Sequence, residues 1–387
     1  MKGALLLDAL NPCQAIREVY RSLSSSFRML RLRRDAPGRL RMIANFAVTY
    51  RCSSRCRTCN IWQMPDAGRD ELSLEEIRTL FESSQGFLRD VESIQLTGGE
   101  PFLRSDLPEI VSTIHECLPR CNFWIPTNAM APKTIDRATR EMLKALGGRG
   151  LGISVSIDGI EGKHDSMRGV EGSYSAAVES LKRLAALKEG YPDLGLTVGM
   201  TLTPENYGEL WDVFAMSRRH GVDFSFRSVN FSDIYYRNPR GGFEPGDDLG
   251  GMVSVIRRIG RDLVGRRGLV AAAPRLRYMQ GVLDYIRDPR VRRMPCSAGS
   301  LSFFLDPYGD IYPCIIMDHK LGNVRERPLE EIWKSREAME ARRRIRSGLC
   351  PNCWVECETF RDIHRDLPGL LSTALRAFFQ PSTLGIN

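Results

Sequence analysis

The chain has 387 residues, 42% of them hydrophobic and 26% charged, ordinary proportions for a soluble globular protein with a sizeable core. No apolar run approaches the ~20 residues that a membrane span needs, and the opening "MKGALLLDALNPC" lacks the cleavage site of a secretory signal. The formal charge of +8 is moderate and unevenly placed, so a cytoplasmic protein with no nucleic-acid partner is expected.

Residues 1–43 read as an N-terminal basic helical extension. Arginines crowd 17–34 against a single acid, and Ile16, Leu23, Phe27 and Leu30 fall close to helical spacing. A helix over 14–34 would either cap the core or make a peripheral contact with an anionic membrane surface. From residue 44 to 230 short apolar runs alternate with helical patterns. Strands are expected at 44–50, 91–97, 121–127, 151–157, 194–202 and 222–229. The intervening helices fall at 73–84, 105–118, 134–146, 173–187 and 206–221. Such alternation predicts an α/β fold with a parallel sheet, in the form of a partial (β/α)6 TIM-like barrel. The first four strands each end in a polar or glycine-rich stretch: three cysteines, then "GGEP" (98–101), "NAM" (128–130) and "DG" (158–159). Barrels place their active sites at those strand ends.

Beyond the core, 231–290 reads as a linker, a long loop and then helices at 252–265 and 276–287. A cysteine-rich domain at 291–360 contains a hairpin over 301–314, with Pro-Tyr-Gly-Asp at its turn. A C-terminal helix and tail complete the chain at 361–387. A second basic block, "ARRRIRSG" (341–348), reads as a solvated face.

The chain has 11 cysteines. Cys13, Cys117 and Cys121 read as small buried hydrophobes. The other eight fall in two tight groups, which without an export signal argues for metal rather than disulfides. Cys52, Cys56 and Cys59 lie one ligand short of a closed tetrahedral site. Three thiolates suit zinc with a fourth ligand from elsewhere, or a four-iron cluster with one iron left open. Arg51, Arg55 and Arg57 would offset part of a cluster's negative charge.

Cys-x3-Cys-x2-Cys after the first strand and Gly-Gly-Glu-Pro after the second resemble the radical S-adenosylmethionine (SAM) superfamily. "PTNA" (126–129), "SVSIDG" (154–159) and "HDSMRG" (164–169) resemble one branch of it. The resemblance implies that Cys52, Cys56 and Cys59 hold a [4Fe–4S] cluster whose open iron chelates SAM. It implies that Gly98, Gly99, Glu100 and Pro101 approach the methionine amino group, the glycines by close backbone approach and Glu100 by charge. Ser156 and Arg168 match the family's ribose and carboxylate contacts, with Asn128 and Asp158 nearby. The implied chemistry is reductive cleavage of SAM to a 5′-deoxyadenosyl radical that takes a substrate hydrogen atom.

Cys296, Cys314, Cys350, Cys353 and Cys357 resemble the auxiliary-cluster extensions called SPASM and twitch domains. A full SPASM pattern has seven cysteines, and this chain has five. One auxiliary [4Fe–4S] cluster on Cys296, Cys314, Cys350 and Cys353 is expected, with Cys357 spare or an alternative ligand. Two clusters, or a structural zinc, are the alternatives. Net oxidation or epimerisation of a small metabolite, such as a sugar or cyclitol, is the expected reaction of this radical SAM oxidoreductase. A lipid or peptide substrate and a non-catalytic metal scaffold are the alternatives. An external one-electron donor such as flavodoxin or ferredoxin is the implied partner. Arg227, Tyr235, Tyr236 and His319 are candidates to face the substrate, each with a packing or surface role equally open.

Overall fold

A computed structural model describes residues 42–64, 69–238 and 249–386. The expected helix over 14–34 lies outside the described residues. The described chain forms two compact units, one from residues 42–238 with 290–355, the other from 249–289 with 356–386.

The first unit is built on a nine-stranded sheet. Six strands are neighbours in chain order: β1 (Met42–Thr49), β2 (Val91–Gly98), β3 (Asn122–Thr127), β4 (Leu151–Ser156), β5 (Gly195–Leu202) and β6 (Asp223–Ser228). Every pair is parallel. Their buried Phe46, Val48, Ile94, Leu96, Ile125, Ile153 and Val198 give the continuous apolar character of strands covered on both faces. Helices α1 (Leu74–Ser83), α2 (Leu107–Cys117), α3 (Pro132–Ala145), α4 (Gly162–Arg168), α5 (Ser173–Leu187) and α6 (Leu210–Arg219) come between them. Helix α1 starts on a capping box: Ser73 Oγ accepts from Glu76 N at 3.2 Å, and Ser73 N donates to Glu76 Oε2 at 2.8 Å. That reciprocal pair satisfies two backbone donors that have no partner within the helix.

Parallel register sets one row of side chains across the sheet: Phe304, Asn45, Gln95, Trp124, Gly152 and Gly195. A Cβ on Gly152 would stand 2.0 Å from the Trp124 ring. Glycine is therefore required where the indole crosses two strands.

The expected hairpin forms from β7 (Ser302–Leu305) and β8 (Asp310–Tyr312), which pair antiparallel around Gly309 at φ +88°. Strand β7 also pairs parallel with β1, and β9 (Gly322–Asn323) closes the far edge. The hairpin thus extends the barrel sheet. Helices α9 (Leu329–Lys334) and α10 (Arg336–Arg346) complete this unit.

The second unit holds α7 (Leu249–Arg267), α8 (Leu269–Arg287), α11 (Glu356–Ile363) and α12 (Leu367–Phe379), with α8 packing on the other three. Tyr278 stacks on Phe360 at 4.8 Å, and the Arg275 guanidinium covers the same ring at 4.6 Å while pairing with Glu356 at 3.0 Å. Helix α8 runs through Pro274 and begins earlier than the expected 276. One missing backbone donor costs a single intrahelical bond, and burial of Ala272, Ala273 and Leu276 favours continuing the helix. Among the described residues no helix is long and apolar enough to cross a membrane.

Candidate active site

The ends of the parallel strands in the first unit enclose a cleft with about 1020 Å3 of empty volume, open solvent included. Cys52, Cys56 and Cys59 line it together with Gly98, Gly99, Asn128, Ser156, Asp158 and Arg168. Residues expected from five separate stretches of sequence thus meet at one mouth.

The cysteine loop leaves β1 and is tied down from two sides. Arg55 N and Arg57 N donate to the carbonyls of Arg168 and Met167 at 2.8 and 3.0 Å. Asn60 N donates to Tyr236 O at 2.7 Å, and Asn238 Nδ2 to Thr58 O at 3.0 Å. Burial pushes the free Cys52 thiol up to about 11 and that of Cys59 up to about 12. Two such thiols stay protonated until a cationic centre displaces their protons.

The charge beside these sulfurs comes from a different arginine than expected. Arg51 lies 3.9 Å from Glu71, Arg57 pairs with Glu205 at 2.9 Å, and Arg55 stacks on Trp62 at 4.6 Å. Arg168 instead directs Nη1 at Cys56 Sγ, 3.7 Å away, and pairs Nη2 with Asp158 Oδ2 at 2.9 Å. Burial opposes its charge, but Asp158 and the Cys56 sulfur outweigh that and raise its pKa. Its Nε is buried and has no hydrogen-bond partner among the described residues, a donor left over at the cleft wall. Asn128 Nδ2 approaches Cys52 Sγ at 3.9 Å and Ser53 Oγ at 3.0 Å.

Gly98 and Gly99 answer to geometry. A Cβ on Gly98, at φ +126°, would stand 2.0 Å from Thr49 O, and one on Gly99 2.2 Å from Arg51 O. Any side chain would force the end of β2 away from the cysteine loop.

Glu100 and Pro101 stand behind the cleft wall rather than on it. Glu100 Oε1 accepts from Thr127 Oγ1 at 2.8 Å and from Phe102 N at 3.2 Å, and Oε2 accepts from Asn128 N at 2.6 Å. Burial pushes this carboxyl up to about 7 against those bonds. Glu100 braces the turn that aims Asn128. Asp158 is likewise engaged, by Arg168 and by Thr201 N at 2.8 Å.

One contact left no signal in the sequence. The buried Tyr235 hydroxyl lies 2.7 Å from Thr97 Oγ1, accepts from Gly98 N at 3.2 Å and donates to Gly98 O at 3.0 Å. Its ring packs on Tyr236 and Phe304 at 4.9 and 5.5 Å. Nothing in an aperiodic loop marks a clamp on a strand 138 residues away. Tyr235→Phe leaves buried partners unsatisfied at a cost of about 1–3 kcal/mol. It is expected to weaken SAM binding about tenfold in equilibrium dialysis, because about 1.4 kcal/mol is one decade. Unchanged affinity would limit the hydroxyl to stability. Arg227 and Tyr236 also line the cleft, whereas His319 Nε2 lies 3.2 Å from Glu337 O.

Within the same unit, three hydrogen bonds link the stretches that carry four of the later cysteines. Gly299 N donates to Pro313 O at 3.1 Å, which draws the stretch of Cys296 to that of Cys314. Asn352 Nδ2 bonds the Arg290 carbonyl and Arg292 Nη1 the Ile345 carbonyl, which joins the Cys350–Cys353 loop to the approach to Cys296. Four thiols on these stretches fit the donor set of an iron–sulfur cluster. Cys357 stands in the first turn of α11, in the second unit. Among the described residues no three Cys, His, Asp or Glu side chains converge on a single-ion site.

The chain matches the radical SAM superfamily model over residues 46–216 and the SPASM iron–sulfur cluster-binding domain model over 296–357. It belongs to the radical SAM superfamily. More narrowly, it is a SPASM-containing radical SAM enzyme, with SAM and iron–sulfur clusters as its cofactors. The antilisterial bacteriocin subtilosin biosynthesis protein AlbA of Bacillus subtilis is 26% identical over 76% of this chain, which spans 59% of that protein's length. The mycofactocin maturase MftC of Mycolicibacterium smegmatis is 25% identical over 82% of this chain and 76% of its own. Relatives named as haem synthases match at similar levels. Among solved structures, Streptococcus suis SuiB with S-adenosylmethionine superposes with a TM-score of 0.55 at 15% identity. It covers 82% of this chain and 71% of SuiB. The same protein has been solved with its precursor peptide SuiA.

Proposed function

We propose that this protein is a peptide-modifying radical SAM enzyme that carries out a net oxidation, such as a cross-link, on a peptide substrate. The expected sugar or cyclitol substrate gives way to this reading, because the bacteriocin biosynthesis and maturase relatives support it better. Cys52, Cys56 and Cys59 would hold the catalytic cluster, and the wall of Gly98, Gly99, Asn128, Ser156 and Arg168 would receive SAM. Cys296, Cys314, Cys350 and Cys353 would hold an auxiliary cluster. Bound together, the cluster and SAM supply a 5′-deoxyadenosyl radical able to remove hydrogen from an unactivated carbon.

The protein's own part is placement. Gly98 and Gly99 let the backbone close on the cofactor, Tyr235 fixes that backbone, and Arg168 sets positive charge beside Cys56. The cleft opens to solvent, so an extended peptide can enter while most of it remains outside. The observation that carries the radical SAM part of the reading is the meeting of three thiols and the two-glycine turn at one mouth; the peptide substrate rests on the bacteriocin and maturase relatives.

Peptide and small-molecule fractions of the same cells, incubated anaerobically with holoenzyme, SAM and dithionite, distinguish the substrate classes. Only the peptide fraction is expected to stimulate 5′-deoxyadenosine formation, with a peptide losing about 2 Da: one hydrogen atom to the deoxyadenosyl radical, and a second as a proton whose electron the auxiliary cluster would accept. Stimulation by a tetrapyrrole or sugar fraction instead would overturn the peptide reading.

A further inference from the structure

The basic block at 341–348 takes no part in the cleft, and the structure divides it. Arg342 is an internal strut: it stacks on Trp333 at 4.4 Å and donates to the carbonyls of Gly299 and Trp333 at 2.6 and 2.8 Å. Arg343, Arg344 and Arg346 are exposed. Exposed Met339 shares the helical face of Arg343 and Arg346 by its spacing of four and seven.

Helix α10 ends in a Schellman turn, with Gly348 N donating to Ile345 O at 3.2 Å and Leu349 N to Arg344 O at 2.8 Å. The residue after the glycine in such a turn commonly packs back onto the helix. Here Leu349 is 65% exposed and Met339 50%, although α10 buries Ala338, Ala341 and Ile345 inward. An apolar centre rimmed by arginines therefore sits directly before Cys350. One basic residue would suffice to complement the helix dipole, and three leave a surplus.

We propose that Arg343, Arg344, Arg346, Met339 and Leu349 form the docking surface for an acidic one-electron carrier protein. This rests on the reading that Cys350 and its neighbours hold an auxiliary cluster. One electron passes from carrier to cluster, the carrier is oxidised, and no proton or group moves. The patch adjoins a cysteine loop and not the cleft lining, which favours a carrier over an acidic segment of the substrate. Opposite charges steer such encounters and make them salt-dependent.

The test uses the reconstituted full chain, reduced acidic flavodoxin as the probe, and the triple variant Arg343→Glu, Arg344→Glu, Arg346→Glu. Flavodoxin affinity at low ionic strength and the rate of cluster reduction by flavodoxin are both expected to fall about tenfold or more. Reduction by dithionite and iron content should not change. A milder Arg→Gln triple serves if charge reversal perturbs folding, with a smaller fall in the same direction. Unchanged flavodoxin affinity would overturn the proposal. So would an equal loss with dithionite, which would make the arginines structural. So would a loss confined to an acidic substrate peptide, which would assign the patch to substrate. Affinity is read at the surface itself, so missing auxiliary iron would overturn the cluster assignment separately.

Discussion

Replacing Cys56 with alanine lowers the iron bound by the reconstituted protein from about eight to about four atoms per chain, the content of one four-iron cluster. Ligand count decides this. The loop after β1 offers three thiols and no fourth, so removing one leaves too few donors to retain a cluster. The later cysteines lie elsewhere in the chain and should keep their iron. The variant should remain folded, because Cys56 is only half-buried and the loop is held by backbone bonds to Met167 and Arg168. Iron and sulfide analysis of the purified variant checks this. Undiminished iron would contradict the assignment, and so would loss of all eight atoms.

Arg168→Met should destabilise the cofactor-free protein by about 3–5 kcal/mol, the usual cost of removing one partner of a buried ion pair. The pair qualifies, since Arg168 and Asp158 side chains are 11% and 3% exposed. Asp158 would keep its bond from Thr201 N but lose its countercharge. The double variant Arg168→Met, Asp158→Asn should recover part of the loss, because no charge is then stranded. Denaturant titration under anaerobic conditions measures both. A single-variant loss below about 1 kcal/mol, typical of an exposed pair, would contradict the reading of Arg168 as a buried countercharge.

Local chemistry was legible where it repeats. The six strands of the barrel fall within two residues of expectation, because each is an apolar run closed by turn residues. The cysteines, Gly98-Gly99, Asn128, Ser156 and Arg168 could be placed together, because a parallel barrel brings successive strand ends to one mouth. What stayed hidden depends on distant partners. Arg168 lies 112 residues from the sulfur it approaches, while Arg51, Arg55 and Arg57 are adjacent in sequence and turn elsewhere. Glu100 accepts from Thr127 and Asn128 at the end of the next strand, partners that its own motif does not announce. The pairing of β7 with β1 could not be read from either strand alone, since an open sheet edge leaves no local mark.

Radical chemistry at the three-cysteine cleft is tested by anaerobic incubation of the reconstituted wild-type protein with SAM and dithionite. The quantities to read are 5′-deoxyadenosine and methionine. Both are expected in equal amounts, and neither from the Cys56→Ala protein. Intact SAM after incubation with a fully iron-loaded protein would contradict a radical SAM activity at this site.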